Sequence, residues 1–159
     1  INMTTYKYPK SFWKIAEEIG HGRSVVNKDI MENCKRFDRG EKNKHVDTIG
    51  ILGELIVMDY LTNKGTEFES GRLLDYKPSK AADVIIKEKR YDIKASTNKY
   101  NSLLVNEEAH KKGKGKIDYY WFVKLIGDNE AQFHSASYES VNEWEVKFMG
   151  YTNAYKKEL

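Results

Sequence analysis

The sequence predicts an α/β domain, and three stretches carry that expectation. Thr48 to Asn63 is apolar around nearly its whole circumference when its residues are set at 100° intervals, which describes a buried helix. Asp83 to Lys87 and Arg90 to Ala95 are β-branched and aromatic runs on either side of a polar Glu88-Lys89 pair, which reads as a hairpin. Asp118 to Ile126 is a strongly apolar run of strand length, expected at the centre of a sheet.

In chain order, Pro9 to Ile19 is expected as a first helix: Phe12, Trp13, Ile15, Ala16 and Ile19 recur at helical spacing and Gly20-His21-Gly22 ends it. Asn27 to Phe37 is a second helix with Ile30, Cys34 and Phe37 as its apolar stripe, and Asp38 to Lys44 is a charged loop. Asp47 caps the third helix, and Gly65 stops it in a left-handed conformation. Thr66 to Ser70 is a short strand and Gly71 to Lys80 an irregular segment. After the hairpin, Thr97 to Ser102 connects to a strand at Leu103 to Asn106 and a helical turn at Asn106 to Lys112. Gly127 to Glu130 turns the apolar strand back into a partner, Ala131 to Ala136. Val141, Trp144 and Phe148 lie at helical spacing, so Tyr138 to Phe148 is expected as a final helix, with Tyr151 to Leu159 a polar tail, disordered or an arm.

Composition bounds the function. The 159 residues suit one domain, and 40% hydrophobic with 13% aromatic content argues for a packed core over wholesale disorder. A net charge of +3 and a pI near 8.7 tolerate a polyanionic partner without demanding one. Cys34 is the only cysteine, which excludes an intramolecular disulfide, a zinc cluster built on thiolates and a Cys-ligated iron–sulfur cluster within one chain. A reducing cytoplasm fits that usage, and no apolar run approaches the ~20 residues that span a bilayer.

The chemistry is expected in the hairpin. Side chains alternate along a strand, so Asp92 and Lys94 share one face while Tyr91, Ile93 and Ala95 share the other. With a two- or four-residue loop, cross-strand partners sum to 177, which sets Asp83 opposite Lys94 and Ile85 opposite Asp92. A three-residue loop moves Asp83 to the other face. Two carboxylates and an ammonium in one place call for a reason, and a divalent cation is one, since Mg²⁺ takes hard oxygen ligands. Within the third helix Glu54 falls between Met58 and Leu61, and a buried carboxylate there needs a metal, a lysine or hydrogen bonds. Gly50 and Gly53 each cost about 1 kcal/mol relative to Ala and would admit a strand or a phosphate backbone beside Glu54; Asp59, on another side, competes as the acid of interest. Lys111, Lys112, Lys114 and Lys116 form the densest basic run and, with Lys99, suit phosphate contacts.

Glu54 at the end of Gly-x-x-Gly-Glu, Asp83 opening a strand and Asp92-Ile93-Lys94 on the next resemble the PD-(D/E)XK phosphodiesterase superfamily, the restriction-endonuclease-like nucleases. The resemblance covers roughly Thr48 to Ile126. It implies a restriction-endonuclease-like α/β core, a mixed four- or five-stranded sheet flanked by helices, here with a helical extension over residues 1–45, the catalytic core over 46–136 and a C-terminal helix and tail over 137–159. It further implies a Mg²⁺-dependent endonuclease cleaving DNA phosphodiester bonds to 5′-phosphate ends, with Mn²⁺ as a substitute metal. Asp83, Asp92 and the main-chain carbonyl of Ile93 would be metal ligands, Lys94 the catalytic lysine, and Glu54 the acid that completes or orients the site. Ala82 stands where a Pro is common, Asp92 where Glu is commoner, and no Gln-x-x-x-Tyr helix follows Lys94, which points away from the exonuclease branch. Two-strand cleavage by one site per chain calls for a homodimer. The alternative from another class is an inactive DNA-binding or assembly module on the same fold.

Overall fold

Strand β6 (Tyr119–Ile126) lies at the middle of the main sheet, as its apolar sequence predicts, between a parallel neighbour, β4 (Lys89–Thr97), and an antiparallel one, β7 (Glu130–Ser137). The computed structural model describes residues 4–22, 41–70, 82–97 and 101–159, with side chains of the long helix from Asp47 onward. Six strands form the mixed main sheet in the order β1-β7-β6-β4-β3-β2, where β1 is Thr4–Lys7, β2 Glu69–Ser70 and β3 Val84–Ile86. A separate antiparallel sheet holds β5 (Ser102–Asn106), β9 (Asn153–Glu158) and β8 (Glu145–Phe148) in that order. The helical segments among the described residues are α1 (12–22), α2 (Glu41–Asn63), α3 (Glu107–Lys112) and α4 (Tyr138–Val141). None is long and apolar enough to cross a membrane.

The alternation of β6 builds two cores, one on each face of the sheet. Val123 and Leu125 join Ile51, Leu52, Ile56 and Val57 of α2, all fully or nearly fully buried, so the long helix covers one face as its all-round apolarity predicts. Tyr120 and Phe122 point the other way and pack with Leu103, Val105 and Tyr155 of the small sheet. Gly65, with φ +70, ends α2 as expected, and the Thr66 amide closes the end on the Leu61 carbonyl at 3.0 Å. Asn106 caps α3 by accepting from the Ala109 amide at 3.0 Å.

Several elements differ from expectation. The N-terminal residues include strand β1, which pairs with β7, and α1 runs through Gly20 to residue 22. Gly20 is there for contact: a Cβ would lie 3.0 Å from Thr48 Oγ1. Helix α2 begins at Glu41, six residues before Asp47, so part of the expected charged loop is helix. The final helix is only Tyr138–Val141; the chain then enters β8, and the expected loose tail is strand β9, bonded to both β5 and β8. Trp144 to Phe148 alternates apolar and polar as well as matching helical spacing, and an available strand partner decides between the two. The expected helix at Asn27 to Phe37, with Cys34, and the segment Gly71 to Lys80 lie outside the described residues.

Candidate functional site at the Asp92–Lys94 pair

On β4, Tyr91, Ile93 and Ala95 pack into the core under α2, which leaves Asp92, Lys94 and Ser96 on the opposite face, towards the small sheet. The contact with the helix is close because of Gly53: a Cβ there would sit 2.6 Å from the Ala95 Cβ. That glycine admits a strand, as its place in the helix suggests; Gly50 has nothing within 4 Å.

The hairpin forms, with a different register. Its loop is Lys87-Glu88, both residues having positive φ (48° and 69°), so partners sum to 175, with Ile85 opposite Arg90 and Ile86 opposite Lys89. The expected pairing of Ile85 with Asp92 and Asp83 with Lys94 is therefore replaced. A shift of two residues preserves the faces of the paired residues, and Asp83 stands just before them, next to Val84, which faces the core under the helix. Asp83 is only 5% exposed, and its Oδ2 accepts the Ile93 amide at 2.8 Å while its own amide donates to the Tyr91 carbonyl. The acid thus pins the peptide between Asp92 and Lys94.

Lys94 Nζ lies 2.9 Å from Asp92 Oδ2, an ion pair by distance that lacks hydrogen-bond alignment. Asp92 Oδ2 is buried and has no hydrogen-bond donor among the described residues. A buried carboxylate oxygen with spare lone pairs, countered by one ammonium, has the donor chemistry of a hard-cation ligand. Lys94 opens onto a cleft of about 210 Å³ between the two sheets, which Ser96, Thr97, Ser102 and Phe122 also line.

The remaining expected residues fall as follows. Glu54 is partly buried and has an interaction partner, but no three His, Cys, Asp or Glu side chains among the described residues gather closely enough to hold a metal ion. The expected ring of Glu54, Asp83 and Asp92 is thus not drawn together as a ligand set; one oxygen of Asp83 is spent on the strand backbone. Asp59 is bonded by the Tyr6 hydroxyl and, at 3.5 Å, by Asn63, which ties α2 to β1. Lys111 and Lys112 pair with Glu107 and Glu108 one turn back, at 3.6 and 3.0 Å, while Lys114 and Lys116 are exposed. Arg90 holds this run to the start of β4 by donating to the Gly115 carbonyl at 2.6 Å. Four residues, about 13 Å of strand, separate that point from Lys94. Lys99 lies outside the described residues.

Sequence reasoning missed the polar groups that β6 and β7 bring to the same face. Tyr120, opposite Asp92 in the parallel register, bonds His110 Nδ1 at 2.7 Å, and His110 Nε2 contacts Asn142 Oδ1 at 2.7 Å. Burial, and then the Asp92 charge, push the Tyr120 phenol up. Lys124 and His134 are both nearly fully buried; burial lowers each pKa, and the Lys124 charge lowers His134 further. The only signal in the sequence was a lysine inside an otherwise apolar strand. Compared with protein-family models and with curated proteins, the chain finds no match.

Proposed function

We propose that the chain is a Mg²⁺-dependent endodeoxyribonuclease of the PD-(D/E)XK type, acting from the cleft at Lys94. The observation that carries the reading is the Asp92–Lys94 ion pair, 2.9 Å apart on one strand face, whose buried Asp92 Oδ2 takes no aligned hydrogen bond, with buried Asp83 beside it. The mixed sheet with a helix packed against the strand that bears the pair supports it. Asp92, Asp83 and the Ile93 carbonyl would hold Mg²⁺ or Mn²⁺; Glu54, on the helix that covers the other face of β4, is not part of that set. The bound metal supplies Lewis-acid polarisation of the phosphate and a more acidic water.

The chain's own groups supply the rest. The Lys94 ammonium donates to a non-bridging phosphate oxygen or to the attacking water, offsetting charge that builds in the transition state. Asp92 holds that ammonium in place, and Asp83 fixes the intervening peptide through the Ile93 amide. Lys114 and Lys116, with Lys111, Lys112 and Lys99, contact the DNA backbone and set its position. Cleavage of both strands recruits a second copy of the chain.

A plasmid-nicking assay tests the reading. With Mg²⁺ or Mn²⁺ the protein should nick, and Asp92→Ala and Lys94→Ala should each lose at least about 10²-fold in rate. Undiminished nicking by either variant refutes it. One observation favours the second reading, a DNA-binding or assembly module without activity: no three metal-ligating side chains gather among the described residues. Calorimetry with Mn²⁺ separates the two. Heat that vanishes in Asp83→Ala supports the enzyme, and silence at millimolar metal supports the module.

A further inference from the structure

Strand β8 is the edge of the small sheet and pairs only with β9 among the described residues. The Met149 amide donates to the Thr152 carbonyl at 2.8 Å, which closes a two-residue turn at Gly150-Tyr151, where Gly150 has φ +93. Hydrogen-bonding direction alternates along an antiparallel strand. Counting back from Met149, Lys147 and Glu145 aim their backbone groups at β9, whereas Val146 and Phe148 aim theirs out from the sheet.

The same two residues also present apolar surface. The register aligns Val146 with Tyr155 and Tyr155 with Val105, both buried in the core between the sheets. Val146 and Phe148 therefore continue that core's face beyond the point where the main sheet covers it. Phe148 is 71% exposed and Tyr151, at the turn, 83%. A free backbone edge that carries an uncovered apolar stripe is a template for another strand.

We propose that the strand it takes is β8 of a second copy, in antiparallel pairing about a twofold axis midway between the two Val146 residues. An isologous contact sets residue i opposite j and j opposite i, so the partner numbers sum to 292. Val146 then faces its own mate and exchanges both backbone hydrogen bonds with it, as its outward groups require. Glu145 faces Lys147 of the other copy, and Lys147 faces Glu145, which gives two opposite-charge cross-strand pairs. Within one chain these two side chains already share a face, 3.9 Å apart. Sliding the register by two residues would set Lys147 against itself, so charge selects the pairing. The small sheets of the two copies join as one six-stranded sheet. This deepens the expected pairing of chains but stands on the geometry of the hairpin, so it can fail while nicking through Asp92 and Lys94 survives.

Sedimentation velocity of the full chain tests it. The protein should sediment as a dimer, and Glu145→Lys and Lys147→Glu should each sediment as a monomer, because each sets like charges opposite one another twice. Mixed in equal amounts, the two variants should return to a dimer, since every lysine of the first then faces a glutamate of the second; the doubly exchanged chain should also dimerise. Recovery on mixing shows that both single variants are folded. A monomeric parent protein, a dimer that survives both single changes, or a mixture that stays monomeric overturns the proposal.

Discussion

Asp118 shows how one side chain can set a pH limit. Its Oδ2 accepts from the Arg90 amide at 2.8 Å and from Arg90 Nε at 3.0 Å, and its Oδ1 accepts from Nη2 at 3.2 Å, so the start of β6 is clamped to the start of β4. These bonds favour the carboxylate and lower its pKa from 3.8 to about 2. A depressed folded-state pKa contributes stability above the unfolded value and loses it as pH falls through the folded one. The melting temperature should therefore drop between pH 4 and pH 2, and Asp118→Asn should flatten that drop while lowering stability at neutral pH. Arg90→Lys should not substitute, because an ammonium cannot reproduce the two-pronged contact. Asp92 stands in a different condition: its buried Oδ2 takes no aligned hydrogen bond and is countered by the Lys94 ammonium at 2.9 Å. Asp92→Asn should abolish nicking yet leave the melting temperature unchanged or raised, the pattern of a group kept for chemistry at some expense of stability.

Among the elements, α2 and β4 make the contact most sensitive to volume. Gly53→Ala sets a Cβ 2.6 Å from that of Ala95 and should destabilise the fold by about 1–3 kcal/mol in urea titration. Gly50→Ala meets nothing within 4 Å and should stabilise it by up to about 1 kcal/mol. The hairpin turn is a second such place. Lys87 and Glu88 both hold positive φ, which costs each about 1 kcal/mol, so Lys87→Asn with Glu88→Gly should raise the unfolding midpoint. That turn also explains why its register was illegible in the sequence: without Asn or Gly, nothing marks the loop, and the pairing moves by two residues. What the chain displayed openly was local. The all-round apolar α2, its Gly65 stop and the apolar strand β6 each carry their own signal. The strand at the C-terminus did not, because β8 and β9 exist through each other and through β5. The site divides in the same way. Period-two spacing alone puts Asp92 beside Lys94, whereas Tyr120, Lys124 and His134 reach that face through a parallel register between distant strands, which no local pattern encodes.

For the whole molecule, the small sheet closes the second core, and β9 holds it together by pairing with β5 on one side and β8 on the other. Ending the chain after Thr152 should uncover Leu103, Val105 and Tyr120 and lower the melting temperature by more than any single surface substitution, with new binding of an apolar dye as the second readout. Affinity for DNA, if the basic run serves it, should fall with salt, and removing Lys114 and Lys116 together should shallow the log–log salt slope by about two. Strand β4 lies between the two cores and divides its labour by parity. Tyr91, Ile93 and Ala95 pack under the helix, whereas Asp92, Lys94 and Ser96 face the small sheet. A lineage could therefore rewrite positions 92, 94 and 96 without renegotiating how the helix is seated, so the chemistry of that face and the packing of the fold can change separately in this architecture.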